Sequence, residues 1–238
     1  MITVSVVSHR QGELVADLLR DLRALGRRDL HALVTLNVPE RVPFAAQDFD
    51  FPLELLDNSR QLGFAANHNQ AFRRSQADFF CVLNPDIRLP QDPFPRLLAE
   101  LESPNVGLVA PLAVNSLGQP ENNARVFPTA RSLLAKALGM APRLDYPADG
   151  AASSPDWVAG MFMLFRRSAF AEVEGFDERY FLYYEDVDIC RRLRRLGHDI
   201  RMVPASRVRH DARRTSHRNP RYLIWHLRSV LRYLLTSY

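Results

Sequence analysis

Three carboxylates, Glu185, Asp186 and Asp188, follow an aromatic run of Tyr180, Phe181, Tyr183 and Tyr184 and lead into an apolar pattern. The spacing predicts a helix over 185–196. On it Asp186, Ile189, Cys190, Leu193 and Leu196 share one face, which is apolar apart from the aspartate. Asp188 falls on the other face, with Arg191 and Arg192 three and four residues on as solvated ion-pair partners. Asp186 has no such partner. A carboxylate aimed inward beside aromatics is costly unless something there needs it. The plainer reading is a helix-start carboxylate that accepts free backbone N–H groups.

A second candidate is Asn84-Pro85-Asp86, which ends the apolar run 79–83. Asp86 suits a divalent cation on a phosphate, because Mg²⁺ takes only one or two protein carboxylates beside substrate oxygens. Otherwise it is a turn residue bonded to backbone. His210, in a basic segment, becomes a metal ligand if the fold brings it to Asp86. Gly63-Phe64-Ala-Ala-Asn67-His68-Asn69 opens a helix whose N-terminus, Asn67 and Asn69 could meet a sugar or phosphate; the alternative is an ordinary strand-to-helix turn.

These residues must be positioned by the elements around them. Runs at 2–8, 31–38, 53–56, 79–83 and 106–110 read as strands, with 79–83 apolar throughout like a central parallel strand. Helical spacing at 14–25 stops at Gly26, and further helices are expected at 63–75 and 92–102. The alternation predicts an α/β fold with a mostly parallel central sheet flanked by helices. Ligands of such sheets bind beyond the carboxyl ends of the strands, where Ser8, His9, Asn37 and Asn84 to Asp86 would meet. The stretch 115–154, rich in Pro, Gly, Ala and Ser, reads as a mobile connection or lid with a short helix near 132–138. A strand at 157–165 is broken by Gly160, and two short strands follow at 199–203 and 207–209. From Pro220 a helix carries an apolar stripe of Leu223, Leu227, Val230, Leu231 and Leu234 beside Arg221, Arg228 and Arg232.

With 238 residues, 47% hydrophobic and 24% charged, the chain has ordinary globular composition. Lys136 is its single lysine, so the net charge of +4 is carried by arginine. Cys81 and Cys190 lie in apolar runs and read as reduced core thiols. The opening run has no basic region or cleavage site of a leader, and no apolar run has membrane-spanning length. The expected location is the cytoplasm, either free or peripheral on the inner face of the cell membrane.

Taken together, Leu83-Asn84-Pro85-Asp86, the Gly63 to Asn69 stretch, Trp157-Val-Ala-Gly160, Gly175-Phe-Asp-Glu178 and Tyr184-Glu-Asp-Val-Asp-Ile-Cys-Arg191 resemble the inverting nucleotide-sugar glycosyltransferases of family 2, rhamnosyltransferase-like branch. The resemblance spans roughly 2–235 in the family's order. It implies a GT-A fold with a nucleotide-sugar-binding half (1–111), an acceptor-binding and catalytic half (112–211) and the basic amphipathic C-terminal helix (212–238). It implies Asp186 as catalytic base, and Asp86 and His210 as ligands of Mg²⁺ or Mn²⁺. Donor contacts are expected from Ser8, Asn37, Asp57, Gly63, Asn67, Asn84 and Asp86, and acceptor contacts from Trp157, Gly160, Tyr184 and Glu185. The implied reaction moves a sugar, L-rhamnose from dTDP-rhamnose, onto a cell-surface glycan or a lipid-linked precursor.

Two departures bear on the donor. Leu36 stands where the family usually has an aspartate that contacts the pyrimidine, and Gln61 where asparagine is common before Gly-Phe; Asp57 is a candidate substitute, and base recognition stays open. A UDP-hexose donor and an inactive, transferase-like scaffold are therefore the alternatives. Past Asp211 there is no acidic residue, while arginines gather around Tyr222, Trp225 and Tyr233. That segment suits an anionic membrane surface, or else it packs on the domain with its arginines solvated. A nucleic-acid-binding protein is the rival from another class. It leaves the acidic site without a role, so no nucleic acid partner is expected.

Overall fold

The computed structural model describes residues 1–137, 144–210 and 220–236. Its strands are β1 (Ile2–Ser8), β2 (Leu30–Leu36), β3 (Leu53–Asp57), β4 (Phe79–Leu83), β5 (Ile87–Arg88), β6 (Val106–Val114), β7 (Ala124–Arg125), β8 (Trp157–Val158), β9 (Phe162–Arg166) and β10 (Asp199–His210). Its helices are α1 (Gly12–Ala24), α2 (Phe64–Arg74), α3 (Phe94–Glu100), α4 (Ala130–Ala137), α5 (Arg167–Glu172), α6 (Glu185–Arg195) and α7 (Pro220–Leu235).

Eight strands form one sheet in the order β3-β2-β1-β4-β9-β6-β10-β5, and β7 pairs with β8 in a small second sheet. In the large sheet β1, β2, β3, β4, β6 and β10 share one direction, and β9 and β5 oppose it. The mostly parallel sheet is as expected, with one correction. β4 is central but parallel only to β1; its other edge takes β9, which arrives antiparallel and separates β4 from β6. A second correction concerns 199–210, which is one strand with an irregularity between Val203 and Arg207. The stretch 115–154 also carries fixed structure: the buried Asn123 side chain bonds Pro111 O and Ala113 N, which lays β7 beside the sheet. Residues 138–143 lie outside the description.

Cores form on both faces of the sheet. On one, β1 places Ile2, Val4 and Val6 against Val15, Leu18, Leu19 and Leu22 of α1. On the other, Phe80, Phe165, Phe170 and Phe176 pack edge-to-face or tilted. The alternating polar positions of β1 are also buried, and α2 satisfies them. Ser5 Oγ lies 2.8 Å from His68 Nδ1, and Ser75 Oγ donates to Thr3 Oγ1 at 2.8 Å. Burial without a counter-charge pushes the His68 pKa down to about 3, so it is a neutral core histidine. Cys81 and Cys190 are buried free thiols.

The two glycine-phenylalanine motifs hold each other. A Cβ on Gly63 would lie 2.5 Å from Phe181 O, whose bond from Phe64 N is 2.9 Å long. Gly175 has φ +72 and leaves room for Asn69, which accepts from Phe176 N at 2.9 Å and donates to Phe176 O at 2.8 Å. Arg192 of α6 adds bonds to Val173 O and Gly175 O.

Candidate active site

β3, β2, β1 and β4 lie side by side and parallel, so their carboxyl ends fall along one edge of the sheet. Asn37 N bonds Ser8 O at 2.9 Å, and Asn58 N bonds Leu36 O at 3.1 Å. Several expected donor contacts turn out to build this rim. Ser8 is fully buried, and its Oγ accepts from Gln11 N at 3.2 Å to start α1. Asn37 donates to Leu62 O at 2.9 Å and accepts from Leu62 N at 2.8 Å and from Asn58 at 3.0 Å. Asn67 is fully buried and accepts from Asn58 at 2.7 Å while donating to Gly63 O at 2.8 Å. These amides hold residues 58–63 in place, so their polar groups are committed to the protein and Asn67 has no surface to offer a donor. Gly63 is likewise explained by Phe181. Asp57, by contrast, is exposed at the end of β3, in register beside the buried Leu36.

Beyond β4, Asn84 N bonds Met161 O at 2.9 Å. Asp86 is brought to His210, as a metal site requires. The pairing of β5 with β10 sets Ile87 opposite His210, and His210 Nε2 comes 3.6 Å from Asp86 Oδ2. Nδ1 of the same ring bonds Glu121 Oε2 at 2.7 Å. Glu121 was missed by sequence reasoning. It lies in an irregular stretch 89 residues away, and its bond to Ala113 O and the neighbouring Val114–Pro120 bridge set it against β6, next to β10. Burial alone would lower the His210 pKa, but Asp86 and Glu121 push it up to about 9.

Among the described residues no three His, Cys, Asp or Glu side chains form a ready metal cage. The donor set still fits a divalent cation shared with phosphates. Asp86 Oδ1 is buried with no hydrogen-bond partner, and a carboxylate bonded to Nδ1 turns the imidazole Nε2 toward the site.

Asp186 stands at the start of α6. Its Oδ2 accepts from Gly160 N at 3.0 Å and its Oδ1 from Val187 N at 2.8 Å. The helix-start reading and the inward-facing reading are thus both true of one carboxylate. Burial pushes its pKa up; the two N–H groups and the charge of Arg125 pull against that, and the net shift is upward. Gly160 is next to Met161, the partner of Asn84, so the base candidate and Asp86 belong to neighbouring strand ends joined through the backbone. Tyr183 and Tyr184, at φ +70 and +69, precede the helix. Consecutive left-handed non-glycine residues cost on the order of 1–3 kcal/mol each and persist where packing over-determines them. Here Tyr184 packs on Tyr233 and His226.

Other acceptor-side expectations change with burial. Trp157 is 9% exposed, bonds Val126 O and lies under the Arg125 guanidinium, so it offers a sugar little ring face. Tyr184 is equally buried, and its pKa rises to about 12, from burial first and then the Asp186 charge. Asp188 is not solvated as expected: it is 2% exposed and paired with Arg192 at 2.6 Å, because the side of α6 that carries it packs against the Gly175 turn. Leu196, assigned to the apolar face, is half exposed at the helix end.

Glu185 is buried with Oε2 unpartnered, and burial followed by the Asp186 charge raises its pKa well above the carboxylate range. An acid whose folded pKa is raised favours folding while it is protonated and loses that contribution as pH rises through the folded value. Glu185→Gln is therefore expected to stabilise the fold by about 1–3 kcal/mol at the alkaline end and to change little in acid. Denaturant melts across pH measure this; a variant less stable than wild type at alkaline pH would contradict it.

The relatives of this chain agree with the geometry. The family model described as glycosyltransferase like family 2 matches residues 1–230. The chain is 27% identical to rhamnosyltransferase WbbL of Escherichia coli K12, over 98% of this chain and 92% of that one. It is 33% identical to the N-acetylglucosaminyl-diphospho-decaprenol L-rhamnosyltransferase of Mycobacterium tuberculosis over 60% of this chain, which covers half of that protein's length. The structure of mannosyltransferase PcManGT from Pyrobaculum calidifontis, in complex with GDP-Man and Mn²⁺, matches 97% of this chain and 64% of that one with a TM-score of 0.68 at 18% identity. With the strand-end geometry and the GT-A fold in agreement, the chain belongs to glycosyltransferase family 2 and is a glycosyltransferase.

Proposed function

We propose that this glycosyltransferase is a metal-dependent inverting enzyme that moves L-rhamnose from dTDP-rhamnose onto a cell-surface glycan or a lipid-linked precursor. The observation that carries the reading is Asp186, backed by two backbone N–H groups and raised in pKa, one strand end away from Asp86. A raised pKa brings a carboxylate closer to the operating pH, where a general base is most effective. Asp186 takes the proton of the acceptor hydroxyl as its oxygen forms a bond to the anomeric carbon. The bond to the nucleoside diphosphate breaks on the opposite face, so configuration inverts in one displacement. Asp86 and His210 would hold Mg²⁺ or Mn²⁺, which when bound neutralises charge on the leaving diphosphate. The donor sugar is inferred from relatives named as rhamnosyltransferases.

Leu36 favours one alternative, a different nucleotide such as UDP, with the exposed Asp57 as base contact. Calorimetric titration with dTDP, UDP and GDP, each with and without Mn²⁺, decides between them. Tighter binding of dTDP in Mn²⁺, weakened at least roughly tenfold in Asp86→Ala, is expected. Preference for UDP or GDP replaces the donor. Binding of none moves the chain to an inactive scaffold.

A further inference from the structure

Helix α7 has two faces with different chemistry. Its inner face packs on the segment that leads into α6. Trp225 lies against Phe181 with centroids 4.6 Å apart, Ser229 Oγ donates to Leu182 O at 2.9 Å, and His226 meets Tyr183 and Tyr184 at 5.4 and 5.7 Å. Tyr233 is buried against Tyr184. The leucine stripe does not join this packing. Leu223, Ile224, Leu227, Leu231, Leu234 and Leu235 are 46–73% exposed. At helical geometry they cover about one-third of the circumference, and Arg221, Arg228 and Arg232 fall along one border of it. No acidic residue follows Asp211, so the helix carries no charge to offset them.

An apolar strip with a basic border and no acid is complementary to a surface that is apolar within and anionic at its edge. A second copy of the helix would bring leucines but no carboxylate for the arginines. We propose that this face of α7 docks on an anionic lipid bilayer, its leucines at the acyl boundary and its arginines among the headgroup phosphates. The same helix holds residues 181–184 at the entry to α6, so docking sets the acceptor side of the Asp186 site beside the membrane plane. That consequence rests on the transferase reading; the docking itself does not.

Co-sedimentation of the full chain with phosphatidylcholine vesicles, with and without about one-third phosphatidylglycerol, tests the proposal. Binding is expected to the anionic vesicles and to weaken as salt is raised. Leu227→Glu combined with Leu231→Glu, both at exposed positions, is expected to weaken it by roughly a hundredfold with an unchanged melting temperature. Arg228→Gln is expected to weaken it roughly fivefold, on anionic vesicles alone. Absent binding, equal binding to both compositions, or full binding by the Leu227/Leu231 double variant overturns the proposal. So does a dimer in solution that the double variant disperses, which would give the face to a second copy. Nucleotide titration of the same variants, expected at the wild-type value, keeps a failure of docking separate from a failure of the transferase reading.

Discussion

Asp186→Asn is expected to lower kcat by about 10²–10⁴-fold while nucleotide affinity stays at the wild-type value. The substitution keeps size and shape. One position of the amide can still accept from Gly160 N or Val187 N, while its NH₂ faces the other donor, so a small loss of stability is expected from that mismatch. It also removes the charge that helps to raise Glu185, which offsets part of that loss. A general base must be ionised to work, so on the proposed role wild-type activity is expected above the Asp186 pKa and lost as pH falls through it. Because the Asp186 pKa is raised, the acid limb of kcat/KM lies above the ordinary aspartate value of 3.8. Steady-state rates and nucleotide titration on the same preparation measure both halves. If nucleotide affinity fell in parallel with rate, Asp186 would belong to binding; if the rate were retained, the base would lie elsewhere.

Gly63→Ala is expected to be strongly destabilising for a single added methyl. The added carbon would lie 2.5 Å from Phe181 O and 2.8 Å from Phe181 Cα. Both are backbone atoms and cannot swing aside as a side chain could. The two loops must part, which costs about 1–3 kcal/mol for the overpacking and about 1 kcal/mol for the Phe64 N to Phe181 O bond. The expected drop in Tm is roughly 5–15 °C. Phe181 leads into Tyr183 and Tyr184, so activity should fall more than the folded fraction does. Gly118 is the control: its φ is +74 but its Cβ would meet nothing within 4 Å, so alanine there adds backbone strain alone. Thermal melts of the two variants settle the comparison, and a Gly63→Ala protein melting like Gly118→Ala would refute the overlap argument.

The parts of this molecule that a sequence makes legible are those set by local pattern. β1 and β4 fall where their β-branched and apolar runs begin and end, and α6 falls where aromatics give way to a helical stripe. Asp186 stands out because an inward carboxylate breaks that stripe. Non-local pairing is less legible. Nothing in Phe162–Arg166 indicates that it enters the sheet antiparallel, since an apolar run reads the same in either direction. Glu121 gives no local signal, because its partner His210 is brought to it by the pairing of β6 and β10. Asn67 and Asn69 illustrate a different limit. Amides near a helix start suit a ligand or a neighbouring loop equally well, and only the approach of residues 58–63 and 176–178 shows that loops claim them.

The antiparallel β9 has a consequence for how the chain can fold at all. A piece ending at residue 111 would contain β4 and the first six residues of β6 but not the strand between them. Those two edges would then stand about two strand spacings apart, near 10 Å, too far for any ladder bond. Residues 1–111 therefore cannot complete the sheet before residues 162–166 arrive. Nascent chain emerging in order must hold open edges until then, and the sheet closes only when β9 arrives between β4 and β6.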